Sequence, residues 1–174
     1  MIEKVLLVGL TGAGKSSVGA ALSARLGWTY VDDDSLLERT AGSNAGDLLA
    51  ARGEQALREA ESRVLTVLLA LPGPMVGGVP ADVVLDEPDR SRLAAAPCMV
   101  VWLRVSPQVL SRRLGKGAGR AWPGADPVAV MRRLAAERNG FYAEVADHVI
   151  DVDALPVGAI AKLVAQVLEV DAQP

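Results

Sequence analysis

Short uninterrupted apolar runs alternate along this chain with stretches in which apolar residues recur every three to four positions. Val5 to Val8 is a compact run that predicts a strand. From Lys15 to Leu26 the apolar positions Val18, Ala21, Leu22 and Leu26 fall at helical spacing, and Gly27 is placed to end that helix. Trp28 to Val31 predicts a second strand, with a helix beginning near Ser35. Glu54 to Leu71 predicts a long helix carrying Leu57, Val64, Leu65 and Leu68 on one face. Met75 to Val76 predicts a short third strand followed by Gly77-Gly78. Met99 to Val105 predicts a fourth, and the region from His148 to Val152 a fifth. Helices are predicted over Gln108 to Leu114, Pro127 to Val145 and Ala159 to Val170. Strands that alternate with helices and carry no polar alternation of their own imply a parallel sheet covered on both faces.

Composition narrows the class. The 174 residues are 51% hydrophobic, which is enough for one core and far too much for a disordered chain. Neither an internal repeat nor a long linker divides them, so one domain over 1–174 is expected. A formal net charge of -3 gives no overall field favouring nucleic acid or an anionic membrane. The uncharged stretch from Val64 to Ala81 is long enough to raise a membrane question, but Pro72-Gly73-Pro74 and Gly77-Gly78 break it. With no secretory pattern at the start, the expectation is a cytoplasmic protein. Cys98, the only cysteine, reads as a small buried side chain, and His148, the only histidine, has no second histidine for a metal pair.

The strongest chemical signal is Gly9-Leu10-Thr11-Gly12-Ala13-Gly14-Lys15-Ser16, which fits G-x-x-x-x-G-K-[ST] between a predicted strand and a predicted helix. Backbone N–H groups of such a loop turn around phosphate oxygens, and the helix aims its positive end at the same anion. Gly12, Ala13, Gly14, Lys15, Ser16 and Ser17 are therefore candidate ATP contacts. Lys15 is placed for the β- and γ-phosphates and Ser16 for Mg²⁺. Asp32-Asp33-Asp34 follows the second strand, where carboxylates of such sheets face the ligand crevice. If strand geometry persists, Asp32 and Asp34 share a side, one near Mg²⁺ and one able to accept a proton. The same acids also suit the N-cap of the next helix. Arg58 and Glu61, three apart on the long helix, can pair, and the pair would orient the guanidinium. Arg25, Arg39, Arg63 and Arg132 read as solvated surface charge.

Taken together, these residues resemble shikimate kinase, a small P-loop kinase of the nucleoside-monophosphate-kinase-like fold. The resemblance rests on the phosphate loop with Ser17-Val18-Gly19, Leu26-Gly27-Trp28 leading to Asp32-x-Asp34, and Gly53-Glu54 with Arg58 and Glu61. It also rests on Gly77-Gly78, Arg120, and Arg138 with Tyr142. It implies a three-layer α/β/α P-loop kinase fold with a five-stranded parallel sheet and a mobile lid over about 115–124. The acceptor would bind in the region of about 32–61. The implied activity is transfer of the ATP γ-phosphoryl group to the 3-hydroxyl of shikimate, in aromatic amino-acid biosynthesis. By that resemblance Asp34 binds the acceptor hydroxyl and acts as base, and Asp32 supports Mg²⁺. Arg58 and Arg138 grip the acceptor carboxylate. Gly77 and Gly78 present backbone to the acceptor, Arg120 closes over the transferring phosphate, and Arg113 and Pro156 flank adenine. The partner is then a small anionic acceptor, and the protein a monomer.

Several positions depart from the family pattern. Its three consecutive glycines after the third strand read Gly77-Gly78-Val79 here, with Pro80 next, and its Arg-Pro-Leu lid reads Arg120-Ala121-Trp122-Pro123. Pocket positions that are often bulky are Ala45, Leu49 and Leu57. These changes leave two further readings: a kinase of this fold acting on another small anionic hydroxy acid or sugar, and a nucleotide-binding module without turnover.

Overall fold

The computed structural model describes residues 2–114 and 126–171. Five strands form one sheet: β1 (Lys4–Val8), β2 (Thr29–Val31), β3 (Met75–Gly78), β4 (Met99–Arg104) and β5 (His148–Asp151). Their order is β2-β3-β1-β4-β5, and every pairing is parallel. Val5 to Val8 and Met99 to Leu103 are buried at every consecutive position. A strand can bury successive residues only when both faces are covered, as parallel crossovers require. The expected α/β architecture is therefore present.

The helices are α1 (Lys15–Leu26), α2 (Asp33–Ala41), α3 (Ala45–Ala70), α4 (Glu87–Ala94), α5 (Pro107–Leu114), α6 (Pro127–Val145) and α7 (Val157–Asp171). α1 has the predicted bounds, and Gly27 closes it in the left-handed conformation at φ 68°. α3 begins nine residues before the predicted Glu54, because Asn44 caps an earlier segment by accepting from the Asp47 N–H. Gly53, at φ 82° and ψ 177°, breaks that helix just before Glu54, so the predicted start is a restart. That backbone conformation is open essentially to glycine alone. α4 was not predicted. Its sequence, EPDRSRLA, carries too thin an apolar stripe to register, and the Asp86 cap defines its start instead.

Two expectations near the crevice need correction. β2 ends at Val31 and α2 starts at Asp33, so strand alternation does not carry Asp32 and Asp34 to one side. Asp32 caps α2 while Asp33 turns inward and is buried. Gly77 and Gly78 lie inside β3, paired with Leu6 and Leu7 of β1, rather than in the turn after it. A methyl at Gly77 would come within 2.9 Å of Leu6 Cδ2 and Met75 Cε, so close packing explains that glycine.

The stretch from Val64 to Ala81 divides into the end of α3, a turn with a cis Gly73–Pro74 bond, and β3. Among the described residues no helix is long and apolar enough to cross a membrane.

Candidate active site

β1 delivers the chain to the crevice and α1 leads it away, so the loop between them sits at the carboxyl edge of the sheet. Gly9 passes so close to β4 that a Cβ would lie 2.8 Å from the Leu103 carbonyl oxygen. Gly14 caps α1 at φ 99°, which leaves the first N–H groups of the helix free to meet an anion. Lys15 is buried, and its Nζ donates to the Gly9 carbonyl at 3.2 Å. Arg113, from α5, donates through Nη1 to the Gly12 and Ala13 carbonyls at 3.2 Å each and so braces the outside of the loop.

One cavity of about 610 Å³ joins this loop to the acidic turn. Gly12 to Ser17 line it together with Asp33, Asp34 and Arg113, and Pro80, Ala81 and Asp82 form part of the far wall. Leu155 and Val157 also line it. Pro156 lies between them, just before α7, and its carbonyl accepts from the Ala159 N–H.

The three aspartates have separate environments. The Asp32 carboxylate accepts from the Ser35 N–H and hydroxyl and from the Tyr30 phenol at 3.0 to 3.1 Å. Burial alone would raise its pKa. Hydrogen bonds from Ser35, Ser16 and Tyr30 outweigh that effect and hold it below the ordinary carboxylate value. Asp33 is pushed above the ordinary value by burial, with Asp34 adding to the rise and the Lys15 charge opposing it. Gly78 makes room for it, since a Cβ there would meet Asp33 Oδ1 at 2.6 Å. Asp34 is exposed and faces the cavity.

A second, smaller recess of about 140 Å³ is lined by Leu49, Glu54, Leu57, Arg58, Asp82 and Arg138. It brings together Arg58 from α3 and Arg138 from α6, eighty positions apart in sequence. Arg58 pairs with Glu54 Oε2 at 3.6 Å, one turn earlier on α3, while Glu61 is buried and lines the larger cavity. Arg138 Nη1 donates to Asp82 Oδ1 at 2.6 Å.

A family model described as shikimate kinase matches residues 11–169. The chain is a member of the shikimate kinase family. A shikimate kinase of Symbiobacterium thermophilum is 36% identical over 170 residues, covering 95% of this chain and 94% of that protein. One of Paramagnetospirillum magneticum is 36% identical over 160 residues, covering 91% and 81%. A solved shikimate kinase of Acinetobacter baumannii in complex with shikimate superposes with a TM-score of 0.91 at 25% identity, covering 100% of this chain and 97% of that one. The chain is thus an ATP-dependent small-molecule kinase, and the reading as a module without turnover falls away.

In this shikimate kinase family member several site features were not visible in the sequence. Asp33, rather than Asp34, is the buried acid beside Lys15. Pro80, Ala81 and Asp82 line the larger cavity and Asp82 the recess as well, whereas Gly77 and Gly78 line neither. Tyr142 is fully buried, stacks on Trp102 with ring centroids 5.7 Å apart, and donates its hydroxyl to the Ala81 carbonyl at 2.8 Å. Tyr142 therefore fixes the turn from behind. Tyr30 packs where Gly19 lacks a side chain, which seats its phenol against Asp32. No pattern in the primary sequence marks Asp82 or Tyr30, because each acquires its role only by meeting a distant element. Arg120 and the rest of 115–124 lie outside the described residues. Arg25, Arg39, Arg63 and Arg132 are exposed, as expected of surface charge. Cys98 is half-buried, and burial pushes its thiol up to about 11. His148 contacts Asp171 at 2.7 Å through Nε2.

Proposed function

We propose that this protein transfers the γ-phosphoryl group of ATP to a hydroxyl of shikimate, with the nucleotide on the phosphate loop and the acceptor reaching into the Arg58–Arg138 recess. One observation carries the reading: Asp82 lines both the large cavity beside the phosphate loop and the recess that holds Arg58 and Arg138, so a single residue borders the two sites.

In this reading the backbone of Gly12 to Ser17 holds the phosphates. Lys15 leaves the Gly9 carbonyl to neutralise the β- and γ-oxygens, with buried Asp33 beside it fixing its direction. Arg113 and the Leu155–Val157 segment around Pro156 border the base. The donor set fits Mg²⁺: the Ser16 hydroxyl lies near enough to the Asp32 carboxylate to help hold its pKa down, and a magnesium site takes one or two protein oxygens beside phosphate and water. When bound, that ion would neutralise charge developing between the β- and γ-phosphates. Asp34 faces the cavity and accepts the proton of the attacking hydroxyl. Gly77 and Gly78 act from within β3, Gly78 by leaving space for Asp33. The role of Arg120 rests on its sequence match. One domain over 1–174, a lid over about 115–124, a monomer in the cytoplasm and a role in aromatic amino-acid biosynthesis belong to the same reading.

A coupled assay with ATP, Mg²⁺ and shikimate tests the reading. Shikimate-dependent ADP release is expected. Asp34→Asn should lower kcat by about 10²- to 10⁴-fold while ATP affinity stays within about twofold, as loss of a general base predicts. Folded protein that binds ATP and releases no ADP with shikimate would refute the assignment. Because Leu49 and Leu57 give the recess aliphatic walls, a second reading has another small anionic cyclic hydroxy acid as acceptor. Faster turnover of quinate than of shikimate would favour it.

A further inference from the structure

The recess carries its own counter-charges. Arg58 faces Glu54, and Arg138 is bonded to Asp82, so the four ionisable residues lining it sum to zero. The second pair is the more enclosed one: the Arg138 and Asp82 side chains are only 12% and 20% exposed. Asp82 is also held rigidly. Tyr142 grips the Ala81 carbonyl and Arg138 grips the Asp82 carboxylate, and these two side chains lie one turn apart on α6. Asp82 precedes the short 3₁₀ turn Val83–Leu85 yet makes no capping bond to it, so its carboxylate is committed to Arg138. The Arg138 Nε, by contrast, is buried and has no acceptor among the described residues. A buried guanidinium N–H without a partner is costly, so Arg138 leans all the more on its bond to Asp82.

We propose that Asp82 is a specificity-determining residue of the acceptor recess: an internal carboxylate that occupies Arg138 and competes with the carboxylate of an acidic acceptor. An acid acceptor must displace Asp82 from Arg138 Nη1 or share the guanidinium with it, and the two like charges repel. A neutral cyclitol lacks that repulsion. The consequence is a recess that separates acid from neutral acceptors far less than two unpaired arginines would.

The inference rests on the acceptor reading above, and its test separates the two. Shikimate and its primary amide are titrated calorimetrically into wild type, Asp82→Asn and Asp82→Ala, each saturated with ADP and Mg²⁺, with thermal melts confirming the fold. Wild type should bind acid and amide within about fivefold of each other. Asp82→Asn should bind shikimate about tenfold tighter, the worth of one charge-assisted hydrogen bond regained, with amide and ADP affinities within about twofold of wild type. A role confined to structure would move acid and amide together. The proposal is overturned by a strong acid preference in wild type, by unchanged or weaker shikimate binding in the folded variants, by an equal gain for acid and amide, or by shikimate binding to none of the three proteins. The wild-type comparison decides the matter even if neither variant folds. Shikimate affinity that rises on Asp82→Asn, in a protein that never phosphorylates shikimate, would refute the acceptor assignment and leave the role of Asp82 standing.

Discussion

Replacing Tyr142 with Phe isolates one bond that links the core to the turn carrying Asp82. The ring is fully buried and stacked on Trp102, and Phe keeps that packing. What disappears is the 2.8 Å donation to the Ala81 carbonyl. Ala81 is buried, so its carbonyl would lose this partner in a place water reaches poorly. A net hydrogen bond of about 1 kcal/mol, plus part of the cost of a stranded buried acceptor, gives about 1–2 kcal/mol of lost stability. For a chain of this size that is a fall in Tm of roughly 2–8 °C. Denaturant melts should show the lower midpoint with an unchanged slope, because no additional surface is exposed. The phenol also has a pH signature. Burial raises its pKa above the ordinary 10.0, so above that pH the folded state binds a proton that the unfolded state has released. The stability this contributes is whole below about pH 10 and declines as pH rises through the folded value, and Tyr142→Phe should flatten that alkaline decline. Because the bond pins the turn carrying Asp82, acceptor KM should rise while ATP affinity is kept. A stability loss below about 0.3 kcal/mol would refute the claim that this bond holds the turn, and so would a change in ATP affinity equal to that for the acceptor.

Other substitutions probe the neighbouring links. Asp32→Ala removes the α2 cap and should cost about 0.5–2 kcal/mol in urea melts. The depressed pKa of Asp32 makes its contribution present above the ordinary carboxylate value and lost as pH falls through the lower folded value, so acid melts of wild type and variant should converge. The same variant should weaken Mg²⁺-dependent nucleotide binding more than Mg²⁺-free binding, read by calorimetry. Gly77→Ala places a methyl 2.9 Å from Leu6 and Met75 in a packed sheet, and should destabilise by about 1–3 kcal/mol in thermal melts, with the residual folded enzyme keeping its KM values.

Much of this molecule is local and was therefore legible in the sequence. The phosphate loop needs only its own glycines, the strand before it and the helix after it, all contiguous between Lys4 and Leu26. α1 and α6 have the predicted bounds because their caps and apolar spacing are encoded within their own residues. The parallel sheet follows from runs such as Met99 to Leu103 that leave no polar face. Arg58 and Arg138, named as site residues from the sequence, line one recess.

Tertiary structure alone decided where the acidic turn points and what neutralises the arginines. The sequence left the acids open between strand alternation and an N-cap; the cap formed at Asp32, and β3, whose Gly78 leaves room for it, let Asp33 turn inward while Asp34 stayed exposed at the cavity. Asp82 owes its place to contacts across 56 and 61 positions of sequence, from Arg138 to its carboxylate and from Tyr142 to the Ala81 carbonyl. Such a contact depends on how the end of β3 packs against α6, and no window of neighbouring residues contains both. The sequence by itself therefore determined the fold class and the glycine-rich loop between β1 and α1 that lines the large cavity. The balance of charge in the Arg58–Arg138 recess was set only when distant elements came together.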